Sequence, residues 1–215
     1  MIRIHTILAA ALVVLAALSA CQTRPKGTVV IRADNDRLIR AKALAEEAQS
    51  AQKAGRTDQA IDLYRQSLEQ SQELFAVWNN LGMLLMEKGE NMDAAEMFKA
   101  AADLAPTDER PYYNVGLIYD RAQYPAKALE FYEKALARNP KSLPALRGAI
   151  KAGKVLTLTD EPALERCRTG LLIEKDPSWL RLMQSEQFRI EAAQDSSPRL
   201  DIGRPRDRRQ PEGGM

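Results

Sequence analysis

The chain has 215 residues, of which 45% are hydrophobic and only 6% aromatic, so its core has to be built mainly from aliphatic side chains. The 31 basic and 29 acidic residues give a formal net charge of +2, which argues against nucleic acid as a partner. The only histidine is His5. If the amino-terminal segment is removed, no imidazole is left for general-base catalysis or metal binding. We therefore expect a chain that is not an enzyme and that needs no metal or cofactor.

Residues 1–20 have the pattern of a secretory signal peptide. Arg3 is followed by an apolar run from Ile7 to Leu18, which is too short to span a bilayer comfortably, since about 20 apolar residues are needed. The run ends in Leu18-Ser19-Ala20-Cys21, which resembles the lipobox of bacterial lipoproteins. The resemblance implies cleavage before Cys21, a diacylglycerol on its thiol and an acyl chain on its amino group. An uncleaved anchor and an ordinary signal peptide are the alternatives.

The lipoprotein resemblance also predicts a location. Gln22 stands where an aspartate marks inner-membrane retention in enterobacterial relatives, so we expect the outer membrane of a Gram-negative bacterium, on its periplasmic side. Residues 21–33 carry Pro25 and Gly27 and are predicted to be the lipidated cysteine and a tether. With Cys21 acylated, Cys167 has no disulfide partner, and we expect it to be a buried, unreactive thiol.

A period of 34 residues organises the middle of the chain. It relates small and helix-ending residues in successive copies: Gly82 to Gly116, Ala94 to Ala128, Ala101 to Ala135 and Pro106 to Pro140. These residues resemble the tetratricopeptide repeat, a helix–turn–helix unit, in three copies at 41–74, 75–108 and 109–142. The resemblance implies an all-α fold, a right-handed solenoid of antiparallel helix pairs over residues 34–142. Thr57 and Asn91 are candidate N-caps of the second helices.

The period decays after residue 142. Residues 143–194 are predicted to be a degenerate repeat followed by capping helices, with helices near 143–156, 163–175 and 178–193. Residues 195–215 are polar and rich in arginine, proline and glycine, and we expect this tail to be disordered.

In the tetratricopeptide repeat family, the first helix of each repeat lines a concave groove. The resemblance places there a set of amide, apolar and basic side chains: Asn79, Asn80, Met83, Met86, Arg110, Tyr113, Asn114, Leu117, Arg147 and Lys151. Asn80 and Asn114 occupy equivalent positions and could bind the backbone of an extended peptide. The methionines, Tyr113 and Leu117 form an apolar patch suited to a peptide or an amphipathic helix. The tail or a second copy of the chain, as in a homo-oligomer, could also cover this patch.

The basic residues of this groove point weakly to a partner with acidic residues. The carboxylate clamp of chaperone-binding relatives is absent, since only Asn80 and a substituted Arg110 are retained.

The leading hypothesis is a lipid-anchored, non-enzymatic adaptor that binds a segment of an envelope protein. Tetratricopeptide lipoproteins act in pilus and secretin assembly or as scaffolds for peptidoglycan hydrolases and proteases, and we favour pilus or envelope assembly slightly. A remote alternative is a glycan-cleaving enzyme that uses the carboxylates of Glu87 and Asp120. A purely structural oligomer is a further alternative.

Overall fold

The computed structural model describes residues 26–196, with side chains from Asp34 onward. The predicted signal peptide, Cys21 and the chain after Ser196 lie outside the described residues. Within the described range every regular element is an α-helix, which confirms the all-α prediction. None of these helices is long and apolar enough to cross a membrane. The helices are α1 (Lys26–Lys53), α2 (Thr57–Gln70), α3 (Phe75–Glu87), α4 (Asn91–Leu104), α5 (Arg110–Arg121), α6 (Pro125–Leu136), α7 (Leu143–Val155), α8 (Glu161–Ile173) and α9 (Pro177–Ser196).

The described residues form two compact units that divide between Leu84 and Leu85, within α3. In the first unit, α1 and α2 form an antiparallel pair. The hydroxyl of Ser67 donates to the carbonyl of Ala41 at 2.7 Å, and that of Tyr64 donates to Oε1 of Gln52 at 3.2 Å. Ala41 and Tyr64 are both fully buried. Two side-chain hydrogen bonds therefore join the helices of this pair.

Helix α1 begins earlier than the sequence suggests. It starts at Lys26, so residues 26–33 are helical where a tether was predicted. Pro25 precedes the helix, and no glycine or proline occurs between Thr28 and Ala54, so nothing in this stretch interrupts it. Residues 26–33 are therefore helical, and their role as a tether stays a prediction.

The second unit also contains antiparallel helix pairs. On α5 and α6, the Tyr113 and Tyr132 rings lie 5.9 Å apart and the Tyr119 and Phe131 rings 5.5 Å apart. Its core includes two clusters among the described residues. One is centred on Tyr132, and the other contains Leu164, Cys167, Met183 and Ile190 of α8 and α9.

Four equivalent turns join the helices within each pair. Each turn has one residue with positive φ, and these residues are 34 apart: Gly55 (72°), Gly89 (83°), Gln123 (62°) and Thr157 (55°). After each one, the next backbone N–H bonds the carbonyl five residues earlier, at 2.9–3.0 Å, as Leu158 does with Gly153. This is the hydrogen bond of a Schellman turn. The turn at Thr157 shows that the period continues in the backbone beyond residue 142.

The predicted N-caps are wrong for two helices. Thr57 and Asn91 are the first helical residues, and Arg56 and Glu90 precede them without a side-chain cap bond. The Schellman turn leads directly into the next helix, so the cap position lies one residue earlier than expected. Asp160 does cap α8, because its carboxylate accepts from the Ala163 N–H at 3.0 Å.

Candidate functional site

Three of the predicted groove residues, Asn79, Asn80 and Met83, lie on α3 in the first unit. Asn79 is buried, and its amide donates to Sδ of Met83 at 3.7 Å. Asn80 is half-buried and donates to the Tyr64 hydroxyl at 3.2 Å. Burial raises the pKa of Tyr64, so its hydroxyl stays protonated. These side chains therefore contact their own unit.

In the second unit, two of the predicted groove residues, Met86 and Asn114, are buried, with only 7% and 8% of each residue exposed. Asn114 belongs to a buried stripe of α5 with Pro111, Val115 and Ile118, at spacings of three and four residues. The stripe places Asn114 on the inner side of its helix. A peptide backbone would find little of this amide exposed, so the predicted asparagine ladder is not supported at this position.

The remaining predicted residues of the second unit lie on adjacent helices, because α5 contacts α7 and α7 contacts α9. Tyr113, Leu117 and Arg147 are half-buried, and Lys151 is exposed. We call this surface the α5–α7–α9 face, and it consists of Tyr113, Leu117, Asp120, Arg147, Lys151 and Trp179. The Tyr113 ring rests against the buried Tyr132 ring, so its position is fixed by the core.

Arg147 is the most tightly held residue of the face. Its Nε and Nη2 atoms each donate to the Glu174 carboxylate at 2.7 Å, in a bidentate pair. Glu174 also accepts the backbone N–H groups of Lys175 and Asp176 at 2.8 Å. These bonds, above all those from Arg147, hold the pKa of the Glu174 carboxyl at about 2, far below its usual value. The Trp179 ring lies 5.1 Å from the guanidinium carbon of Arg147.

The other predicted cations are also paired within the second unit. Nζ of Lys151 lies 3.1 Å from the Asp120 carboxylate, which joins α7 to α5. Arg110 donates to the Asp108 carboxylate at 2.6 and 2.9 Å, and this lowers the pKa of Asp108. The prediction that Arg110, Arg147 and Lys151 attract an acidic partner is therefore weakened, because each cation already has a carboxylate.

Sequence reasoning missed Glu174 and treated Trp179 only as an apolar residue of the last helix. The available signal was the Asp176-Pro177 stop after α8. Glu174 directly follows the last residue of α8, and Arg147 lies near the first residue of α7. In an antiparallel pair, the end of the second helix lies beside the start of the first, so these two residues are brought together. Arg147 and Glu174 are 27 residues apart, and the positions one period earlier are Tyr113 and Pro140. This ion pair therefore has no equivalent in the preceding repeat.

The two carboxylates considered for catalysis, Asp120 and Glu87, lie in different surroundings from each other. Asp120 is the ion-pair partner of Lys151, and Glu87 is exposed near the end of α3. Over residues 26–196 no group of three or more His, Cys, Asp or Glu side chains is placed to hold a metal ion.

Comparison with known proteins identifies the repeat. Residues 45–109 and 79–142 match the family model of the tetratricopeptide repeat. Over 95 residues the chain is 32% identical to anaphase-promoting complex subunit 3 of Schizosaccharomyces pombe, a stretch covering 44% of this chain and 14% of that protein. The chain thus spans less than a fifth of the length of the curated relatives it matches.

Two solved structures have similar folds. One, from a functional characterization of Pseudomonas aeruginosa pilF, has a TM-score of 0.60 and 24% identity, covering 71% of this chain and 72% of that one. The other is the first tetratricopeptide repeat domain of Spaghetti bound to an HSP90 peptide. It has a TM-score of 0.53 and 21% identity, covering 56% of this chain and 96% of that one. Together with the nine described helices, these matches establish an all-α tetratricopeptide repeat fold.

Proposed function

We propose that this chain is a non-enzymatic adaptor that binds a peptide segment of another envelope protein on the α5–α7–α9 face. The observation that carries the proposal is the set of half-buried side chains on this face, Tyr113, Leu117 and Trp179, of which Tyr113 and Trp179 pack against the core clusters beneath them. Rigid aromatic and apolar side chains of this kind supply much of the binding energy at protein interfaces.

The fold supports a binding role. Proteins of the tetratricopeptide repeat fold are generally scaffolds without enzymatic activity, and the Spaghetti domain was solved with a bound peptide. That peptide belongs to the neighbour and does not identify a partner for this chain.

We further propose that the adaptor is anchored in the outer membrane by lipid on Cys21 and acts in pilus or secretin assembly. The lipobox-like segment supports the anchor. The likeness to pilF is one of fold, so the choice of pilus assembly over the recruitment of peptidoglycan hydrolases or proteases continues to rest on the sequence resemblance.

Site-specific photocrosslinking in cells tests the binding face. A photoreactive amino acid at Leu117 of the full chain should capture a partner protein. The same residue at Leu172, an exposed leucine on α8, is the matched control and should capture little. Equal capture at both positions, or capture only at Leu172, would remove the α5–α7–α9 face from the proposal.

The anchor is tested separately by fractionation and lipid labelling. Cys21→Ser should abolish incorporation of labelled palmitate and move the protein out of the outer-membrane fraction. Cys167→Ala, which changes the other cysteine, should leave both results unchanged. Normal outer-membrane fractionation of the Cys21→Ser variant would contradict the lipid anchor and leave the binding face untouched.

A further inference from the structure

The geometry of Arg147 indicates the kind of peptide that the face accepts. Glu174 occupies one edge of the guanidinium, through Nε and Nη2, and the Trp179 ring lies near the group at 5.1 Å. Among the described residues, the remaining nitrogen, Nη1, has no hydrogen-bond acceptor. Because the side chain is 31% exposed, this nitrogen is available as a donor whose orientation is already fixed.

The charge of this donor is already compensated. The Glu174 side chain is only 1% exposed and lies against the guanidinium, so a carboxylate approaching Arg147 would also meet a buried negative charge. Displacing Glu174 is unfavourable, because its two backbone N–H donors would lose their acceptor. Lys151 is paired with Asp120 on the same face. A neutral acceptor such as a carbonyl oxygen is not repelled by the Glu174 carboxylate and does not need to displace it.

Resting on the proposed function, we propose that the face binds an uncharged, extended peptide segment, and not an acidic tail. A backbone carbonyl of the segment accepts from Nη1 of Arg147, and an apolar side chain next to it packs against Trp179 and Tyr113. The segment is extended because the carbonyls inside a helix are already bonded within the helix. Arg147 and Trp179 are the residues that determine this specificity.

Selection of peptides by the full chain provides the test. A phage-displayed library of random linear peptides is panned against the immobilised protein, and the enriched peptides are synthesised. We expect enrichment of aromatic and aliphatic residues without enrichment of Asp or Glu. Between about 0.05 M and about 0.5 M NaCl, the Kd of such a peptide should change by less than about twofold, since screening acts on net charges.

Two variants separate the donor from the charge. Arg147→Lys keeps the charge but cannot form the bidentate pair and still present a fixed donor, so it should weaken binding by about tenfold. Arg168→Lys on α8, an exposed arginine, is the matched control and should bind like the unmodified chain. Glu174→Gln should uncover the charge of Arg147 and raise the affinity for acidic peptides by about tenfold, with a clear salt dependence. Melting curves confirm that each variant is folded.

The outcomes distinguish the two proposals. If the unmodified chain selects acidic peptides that bind with a steep salt dependence, and Leu117→Arg abolishes their binding, the face is right and the inference about its ligand is wrong. If Leu117→Arg and Arg147→Lys leave the binding of every selected peptide unchanged, or no peptide is enriched, both the proposed face and this inference are overturned.

Discussion

The backbone of Gly116 lies directly against the ring of Tyr132. A Cβ atom at position 116 would stand 2.7 Å from ring carbons Cδ1 and Cε1, far inside normal contact distance. Gly148 on α7 approaches the same ring, where a Cβ would lie 2.5 Å from Cζ. Tyr132 is 1% exposed, so the ring has little room to move away from either glycine. Two glycines on neighbouring helices thus enclose one tyrosine on α6.

We predict that Gly116→Ala destabilises the fold by about 1–3 kcal/mol through overpacking against Tyr132. Gly153→Ala is the control, since a Cβ there would make an ordinary contact of 3.6 Å with Nη2 of Arg166. It should be neutral or stabilising by up to about 1 kcal/mol, because alanine favours helix over glycine. Urea unfolding measures both changes. Equal effects of the two substitutions would show that the close approach does not control stability.

The helix pairs are predictable because the fold requires particular residues at fixed spacing. Gly116, Ala128 and Tyr132 recur in kind through the repeat, and their packing needs small residues opposite a large one. The positive-φ turn is less visible in the sequence. Gly55 and Gly89 indicate it, but Gln123 and Thr157 occupy the same turn without the glycine that favours this conformation. The fourth turn is therefore found only in the backbone.

The candidate site is less predictable because it depends on which side of each helix is buried and on pairs that do not repeat. Asn114 falls on the buried stripe of α5, although the family pattern places it in the groove. Glu174 and Trp179 lie beyond the three regular repeats in the sequence. They reach Arg147 of α7 because Glu174 directly follows α8 and Trp179 lies on α9. Sequence spacing identifies the cation but not the carboxylate that compensates it.

Asp160→Ala should destabilise the protein by about 0.5–2 kcal/mol, since the carboxylate caps the first turn of α8 through the Ala163 N–H. Asn91→Ala is the informative comparison. Asn91 is the first helical residue of α4 rather than its cap, so its removal should cost less than about 0.5 kcal/mol. Thermal and urea unfolding give both values. A larger loss for Asn91→Ala than for Asp160→Ala would contradict the assignment of the two helix starts.

Glu174 should make stability depend on pH in the acidic range. Its pKa is held at about 2 in the folded protein, below the value of about 4.3 in an unfolded chain. Folding therefore favours the ionised form, and this contribution is present above the unfolded pKa and is lost as the pH falls through the folded one.

The measurement compares Tm across pH for the unmodified chain and Glu174→Gln. The variant should melt lower at about pH 7, and the difference should shrink between about pH 5 and pH 2 as Glu174 of the unmodified chain becomes protonated. Glu69→Gln, at an exposed position on α2, should show no such convergence. A gap between the two curves that stays constant down to pH 2 would contradict the low pKa.

Cys167 should be unreactive while the protein is folded. The side chain is buried beside Met183 and Ile190, and burial raises its pKa to about 11. At about pH 8, a thiol with this pKa has roughly two hundred times less thiolate than an unperturbed cysteine of pKa about 8.5, and the thiolate is the reactive form.

Alkylation of the Cys21→Ser variant, in which Cys167 is the only thiol, measures this directly. Iodoacetamide at about pH 8 should modify the folded protein at least about a hundredfold more slowly than free cysteine, and the urea-unfolded protein at nearly the free rate. Raising the pH toward about 10, under conditions where a melting curve shows that the fold is retained, should increase the rate for the folded protein because more thiolate forms. Modification of the folded protein as fast as free cysteine would mean that α8 and α9 separate readily, which the packing of Cys167 against Met183 and Ile190 opposes.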